Sequence, residues 1–116
     1  KLGEALYPLR EQGVAILATG AITHNLGAFF RGRYTHDSPA PEWVTQFADW
    51  IASAAETGRT DDLLHYRERA PHAVENHPTE DHLLPFFVAL GAGGKVRRSH
   101  ASTTYGVLAM DVYEVA

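Results

Sequence analysis

The segment from Asn76 to Gly94, NHPTEDHLLPFFVALGAGG, constrains the fold more than any other stretch of the sequence. Its apolar positions recur at helical spacing, Thr79 suits the N-cap, and acidic residues follow where the helix macrodipole favours negative charge. We therefore predict a core-facing helix that begins near Thr79, kinks at Pro85 and ends at the GAGG glycines. His82 would stand in the first turn with a free lone pair, which suits a metal ligand; a satisfied surface histidine is the alternative.

A second candidate histidine follows an apolar run near the N-terminus. Residues 1–12 carry an apolar stripe that predicts an amphipathic helix stopped by Gly13. The run VAILA, residues 14–18, is typical of a strand buried on both faces of a parallel or mixed sheet. The loop after such a strand is where α/β sheets bind ligands, and here it contains His24, with Asn25 as a cap for the next short helix. We predict a catalytic role for His24; the alternative is a histidine that only packs or caps in the loop.

The middle of the chain predicts a loop and two helices. Residues 31–41 contain two prolines and read as a polar loop of the length that often covers a site. His36 in this loop is a candidate substrate contact, with a solvated loop histidine as the alternative. Pro41 suits the first position of a core-facing helix that reaches Gly58, and a further helix begins near Thr60.

The C-terminal part predicts strands. Residues 96–105 and 107–113 read as two strands around Gly106, and the VLAMDVY run is apolar enough to be internal. Taken with the alternating elements before them, these strands indicate an α/β fold. We predict part of a single domain in which a central mixed sheet is flanked by helices.

Composition excludes several classes of function. The net charge of −4 and the scattered basic residues give no electrostatic footprint for nucleic acid. The absence of cysteine rules out thiolate sites, so a metal here would take nitrogen and oxygen ligands, for which seven histidines are a large supply. No apolar run approaches the roughly 20 residues of a membrane span, so we expect no membrane partner and a cytoplasmic protein.

Several motifs together resemble a known family. They are ATGAITHNL, a helix bearing tryptophan and phenylalanine, LLHYRERAP, HPTEDHLLPFFVALGAGG and the terminal YGVLAMDVYEV. This combination is similar to the C-terminal half of the class III extradiol ring-cleavage dioxygenases, in the DOPA 4,5-dioxygenase-like branch. The resemblance covers nearly the whole chain. It implies that residues 1–116 are the C-terminal portion of one catalytic domain about twice as long.

The resemblance also implies roles for individual histidines. His82 would be a metal ligand, and His24 would be the active-site acid/base, close enough to the metal to approach it. His77, just before the proline of the same motif, is a candidate substrate contact, as His36 is from its place in the loop of residues 31–41. The remaining metal ligands would be histidines of the missing N-terminal half.

The activity implied is ring opening by a non-haem iron enzyme. A catechol-type substrate, DOPA-like or related, would bind with O2 at Fe(II), and Zn(II) is the alternative metal because nitrogen ligands accept it as well. Two other functions stay open on the residues. One is a zinc-dependent hydrolase in which His24 assists a metal-bound water, and the other is a non-catalytic relative whose metal site is only structural.

Overall fold

The computed structural model describes residues 1–116 and confirms the α/β class. The helices are α1 (Leu2–Glu11), α2 (Leu26–Arg31), α3 (Glu42–Glu56), α4 (Thr60–Leu64), α5 (Tyr66–Arg69), α6 (Ala73–Asn76) and α7 (Leu84–Gly91). The strands are β1 (Val96–His100), β2 (Thr103–Thr104), β3 (Leu108–Ala109) and β4 (Val112–Val115). None of the helices combines the length and the apolar character needed to cross a membrane.

The strands form two small antiparallel sheets, whereas a single mixed sheet was expected. Strand β1 pairs with β4, and β2 pairs with β3 across a turn in which Gly106 has φ +66°. The predicted buried strand at residues 14–18 is wrong for this structure. No backbone hydrogen bond involves residues 15–20, and Leu17 is 88% exposed. An apolar run becomes a strand only where a neighbouring strand pairs with it, and no strand lies beside this segment.

Helix α3 organises the core as predicted. Val44, Phe47, Ile51 and Ala54 are fully buried along one face, at the three- and four-residue spacing that identified this helix. The helix begins one residue later than expected, because Pro41 is its N-cap rather than its first residue. The buried face packs against side chains of the α4 to α6 region and of the segment that precedes α7.

Helix α7 begins at Leu84, five residues after the predicted N-cap Thr79. Pro85 then falls in the first turn, where a missing N–H breaks no intrahelical hydrogen bond, so the expected kink is absent. The backbone N–H groups of Leu83 and Leu84 both bond to Glu80 O in the preceding turn. His82 consequently lies in that turn, ahead of the helix. Proline therefore sets the start of α7, because only the first turn accepts proline without losing an intrahelical hydrogen bond.

Helix α1 packs closely against α7 through two glycines. A Cβ at Gly3 would lie 2.6 Å from the backbone of Gly91, so only glycine allows the two backbones to approach this far. The Arg10 guanidinium donates to the carbonyls of Ala92 and Gly93 at the C-terminus of α7 and to Val115 O of β4. Helix α1 ends before Gly13, at φ +77°, as predicted. Its apolar stripe is less buried than expected, since Leu2 is 63% exposed.

His77 belongs to the core rather than to a surface. Its side chain has no exposed area, contacts the rings of Phe47 and Tyr66, and donates from Nε2 to Ile22 O at 2.6 Å. Nδ1 has no hydrogen-bond partner. Desolvation by burial is the main cause that lowers the pKa of His77, and the Ile22 carbonyl partly opposes it. The folded protein therefore holds this imidazole neutral.

Replacing Gly3 by Ala should destabilise the protein by about 1–3 kcal/mol, because the new methyl group forces α1 away from α7. Thermal unfolding followed by circular dichroism measures the effect. Gly27→Ala is the matched control, since the nearest neighbour of its new Cβ is the flexible end of Arg31 and alanine favours the helix. Equal melting temperatures for Gly3→Ala and the parent protein would contradict the close helix packing.

The buried His77 should make stability fall as the pH drops below its ordinary pKa of 6.5. In that range the unfolded state binds a proton that the folded state does not, so protonation favours unfolding until the lowered folded-state pKa is reached. Denaturant unfolding at pH 7.5, 6.5 and 5.5 measures this loss, at about 1.4 kcal/mol per unit of pKa difference. His77→Gln keeps an N–H donor without titrating and should flatten the profile. An unchanged pH dependence in this variant would count against the assignment.

Candidate active site

Two of the predicted histidines meet face to face. The rings of His24 and His82 are stacked, with centroids 3.5 Å apart and planes inclined by 10°. His24 comes from the loop of residues 20–25, and His82 comes from the turn that precedes α7. They are 58 residues apart in sequence, so the contact exists only because the tertiary fold joins these two segments.

Backbone hydrogen bonds join the loop to the segment that carries His82. Ala21 N donates to His82 O at 2.8 Å, and His24 N donates to Asn76 O at 2.9 Å. A Cβ at Gly20 would collide with His82 O, so glycine is required where the loop passes this turn. These bonds hold the backbones of both histidines at fixed separation.

Asn25 anchors the other end of the loop. Its Oδ1 accepts from Ala28 N at 2.8 Å and so caps α2, as the sequence predicted. Its Nδ2 donates to Glu75 O at 2.6 Å. One side chain therefore starts the helix after His24 and binds the loop to α6.

Thr23 fixes the loop from the opposite side. Its hydroxyl donates to Val107 O at 2.9 Å and accepts from Ala109 N at 2.8 Å, and the side chain is 1% exposed. The loop is thus held between the α6 region and strand β3. Sequence reasoning gave Thr23 no role, and its position beside His24 was the only signal.

The surroundings of His24 favour a neutral imidazole. Desolvation is the main cause that lowers the pKa of His24, followed by the charge of His82; the Asp81 carboxylate opposes both. A positive charge on the His82 ring, 3.5 Å away, would repel a positive charge on His24. A lone pair on His24 therefore remains available at neutral pH.

Asp81 lies beside the pair. The sequence pattern does not predict this position, because adjacent acidic residues at a helix start usually complement the helix dipole. Its Oδ2 is 3.0 Å from Nδ1 of His82, within ion-pair distance but outside hydrogen-bonding geometry, so this buried nitrogen has no hydrogen-bond partner. The Thr79 side chain and then the Asp81 backbone N–H lower the pKa of Asp81, which keeps it charged. Carboxylates next to ligand histidines orient them in metal sites.

Both rings lie in the wall of an open cleft of about 1010 Å³. The cleft separates the extended residues 14–23 from the segment of residues 108–115, and its lining is mainly hydrophobic. Phe86, one turn beyond His82, forms part of the wall, and the centroid of its ring lies 4.9 Å from that of the Tyr113 ring. An apolar cleft with two convergent imidazoles has the character of a small-molecule site.

The two candidate substrate contacts lie away from this cleft. His36 is exposed on its loop, where Nδ1 is 2.8 Å from Asp37 Oδ1, and it does not line the cleft. His77 is buried behind the loop and bonded to Ile22 O, so the structure gives it a packing position instead of the predicted substrate contact. Burial against Phe47 excludes direct access to a ligand.

The donor set fits part of a metal site. Neutral imidazole nitrogens suit Fe(II) and Zn(II), and the unpartnered Nδ1 of His82 is a buried polar atom that lacks the partner such atoms normally have. The chain nevertheless contains no group of three or more histidine and acidic side chains placed to hold a metal ion. The imidazoles of His24 and His82 are therefore fewer donors than such a metal site needs.

The sequence is similar to relatives of known name. The chain is 36% identical over 100 residues to a 4,5-DOPA dioxygenase extradiol of Mirabilis jalapa, covering 81% of this chain and 34% of the relative. It is 32% identical over 117 residues to the protein of the same name in Beta vulgaris, covering 98% of this chain and 42% of the relative. The chain thus spans about a third to two-fifths of the length of these curated relatives.

A solved structure and a family profile agree with these relatives. The crystal structure of an uncharacterized protein from Escherichia coli K12 superposes with a TM-score of 0.75 at 27% identity, covering 97% of this chain and 47% of that one. The family described as the catalytic LigB subunit of aromatic ring-opening dioxygenase matches residues 1–113. This chain therefore belongs to the LigB family of aromatic ring-opening dioxygenases.

Proposed function

We propose that the full-length protein containing this chain is a non-haem iron(II) extradiol dioxygenase. It opens a catechol-type ring with O2. The observation that carries the proposal is the stacked His24 and His82 pair in the wall of an apolar cleft. Family membership and the names of the relatives support ring cleavage beside the hydroxyl groups.

His24 is the acid/base of the proposed reaction. A catechol must lose its hydroxyl protons to react with O2, and a later step must receive a proton back. An imidazole whose pKa is lowered by burial and by its neighbour is neutral at pH 7 and accepts the first proton. As an imidazolium it then donates that proton to the opened ring.

His82, with His24 close beside it, would hold the metal. Ferrous iron, when bound, would supply the binding sites for the catecholate and O2 that ring opening needs. Asp81 would hold a negative charge next to the His82 ring and favour its binding to a cation. Zinc suits the same nitrogen donors and is the alternative metal in a purified sample.

The remaining ligands come, in this proposal, from residues outside the 116 described here. Two histidines are fewer than the three protein ligands that such a metal site uses. The matched relatives are more than twice as long as the matched region, which leaves room for further histidines in the same domain.

The substrate class is a small aromatic diol, such as DOPA or a related catechol. The walls contributed by residues such as Phe86 and Ile22 would pack against an aromatic ring, while the histidine pair would face its hydroxyl groups. The names of the relatives from Mirabilis jalapa and Beta vulgaris point to DOPA as the first catechol to assay.

Replacing His82 by Ala should empty the metal site, because it removes the donor whose Nδ1 has no other hydrogen-bond partner. Elemental analysis of the purified full-length protein measures the metal content. His100→Ala is the matched control: this histidine is on β1, bonds to Ser102, and does not line the cleft. A full metal complement in His82→Ala would exclude His82 as a ligand.

Replacing His24 by Ala should retain most of the metal but reduce turnover by about 100-fold or more, the usual scale for loss of acid/base catalysis. Oxygen uptake with a catechol, with and without added ferrous iron, gives the rate. Uptake that depends on iron distinguishes the dioxygenase from a zinc hydrolase and from a relative whose metal is only structural. Unchanged turnover in His24→Ala would remove His24 from the mechanism.

A further inference from the structure

The Thr23 hydroxyl replaces a backbone partner at the edge of strand β3. Val107 O and Ala109 N flank Leu108, so they point to the same edge of the strand, where one acceptor and one donor need partners. Thr23 Oγ1 lies 2.9 Å from the first and 2.8 Å from the second. A single hydroxyl can donate and accept at the same atom, so one side chain satisfies both groups.

Burial makes these two hydrogen bonds difficult to replace. Thr23, Val107 and Ala109 are all buried, with 1%, 0% and 5% of their surface exposed. Without the hydroxyl, a buried carbonyl and a buried N–H would both lose their partner, and the loop would have to shift or admit water to satisfy them. The bond therefore fixes the distance between the loop and β3.

The next residue along the chain is His24. Its backbone N–H bonds to Asn76 O, so the two consecutive residues are tied in different directions, one to β3 and one to the end of α6. Ile22, on the other side of Thr23, accepts from the buried His77 ring. With Thr23 released, the loop would keep its bonds to the α6 side and to the His82 carbonyl but would lose its tie to β3. The His24 ring would then be held against His82 from one side of the loop only.

We infer that Thr23 is a positioning residue. By joining the loop to β3, its hydroxyl holds the His24 imidazole in place against the His82 ring. The inference rests on the proposed function for its catalytic consequence. The geometric part, the placement of one imidazole against another, stands on the hydrogen bonds and on the 3.5 Å stacking distance.

The test compares Thr23→Val with Thr23→Ser in the full-length protein. Valine has nearly the shape of threonine without the hydroxyl, and serine keeps the hydroxyl. We expect Thr23→Val to reduce kcat about tenfold or more with KM changed less than about threefold, since misplacing a catalytic group costs on this scale. Thr23→Ser should have a kcat within about threefold of the kcat of the parent protein.

A second readout does not need turnover. Cobalt(II) bound in place of iron has absorption bands that report the geometry of its ligands, and Thr23→Val should change them while Thr23→Ser leaves them as in the parent protein. Thr57→Val is the matched control. It removes a threonine hydroxyl that donates to Ser53 O just after the end of α3. Thr57 does not line the cleft, so this change should leave both readouts unchanged.

Several outcomes would overturn the inference. Thr23→Val with a lower melting temperature but the kcat and cobalt spectrum of the parent would make Thr23 only a stabilising residue. If Thr23→Val does not fold, Thr23→Ala takes its place, and failure of both while Thr23→Ser folds would assign Thr23 to folding alone. Absence of oxygen uptake by the parent protein with any catechol would refute the proposed function, and the cobalt spectra would still decide the role of Thr23.

Discussion

The site depends on how the loop of residues 20–25 satisfies its buried polar groups. Thr23 binds β3, the N–H of His24 binds the end of α6, and the N–H of Ala21 binds the carbonyl of His82. Each partner lies more than 50 residues away in sequence, so the loop has a defined position only when the whole chain is folded. The same hydrogen bonds that prevent unpaired buried groups also bring the two imidazoles together.

Electrostatics and packing act in the same direction at the histidine pair. Burial disfavours a charge on His24, and a second ring at 3.5 Å disfavours it further. Asp81 supplies the opposing negative charge at the solvent side. The surroundings of His24 consequently favour a neutral imidazole with a free lone pair, which is the state that a general base requires.

The extended segment of residues 14–20 lines the cleft and leaves apolar surface exposed. The segment is mainly apolar, has no strand partner and forms one wall of the cleft. On the facing wall, Met110 and Val112 are each 52% exposed. Apolar surface of this kind is usually buried against another layer. The chain covers only about a third to two-fifths of its curated relatives, consistent with the proposal that further residues of the same domain complete the site.

Elements whose signals are local could be predicted from the sequence. The spacing of Phe47 and Ile51 specified α3, Asn25 specified the start of α2, and the motif residues singled out His24 and His82 before any distance was known. The remaining features depend on contacts between distant parts of the chain. Three such features are the missing strand partner of residues 14–18, the burial of His77 against Ile22 O and the bond of the Thr23 hydroxyl to β3. They could not be predicted because hydrogen bonds and burial depend on residues far away in the chain.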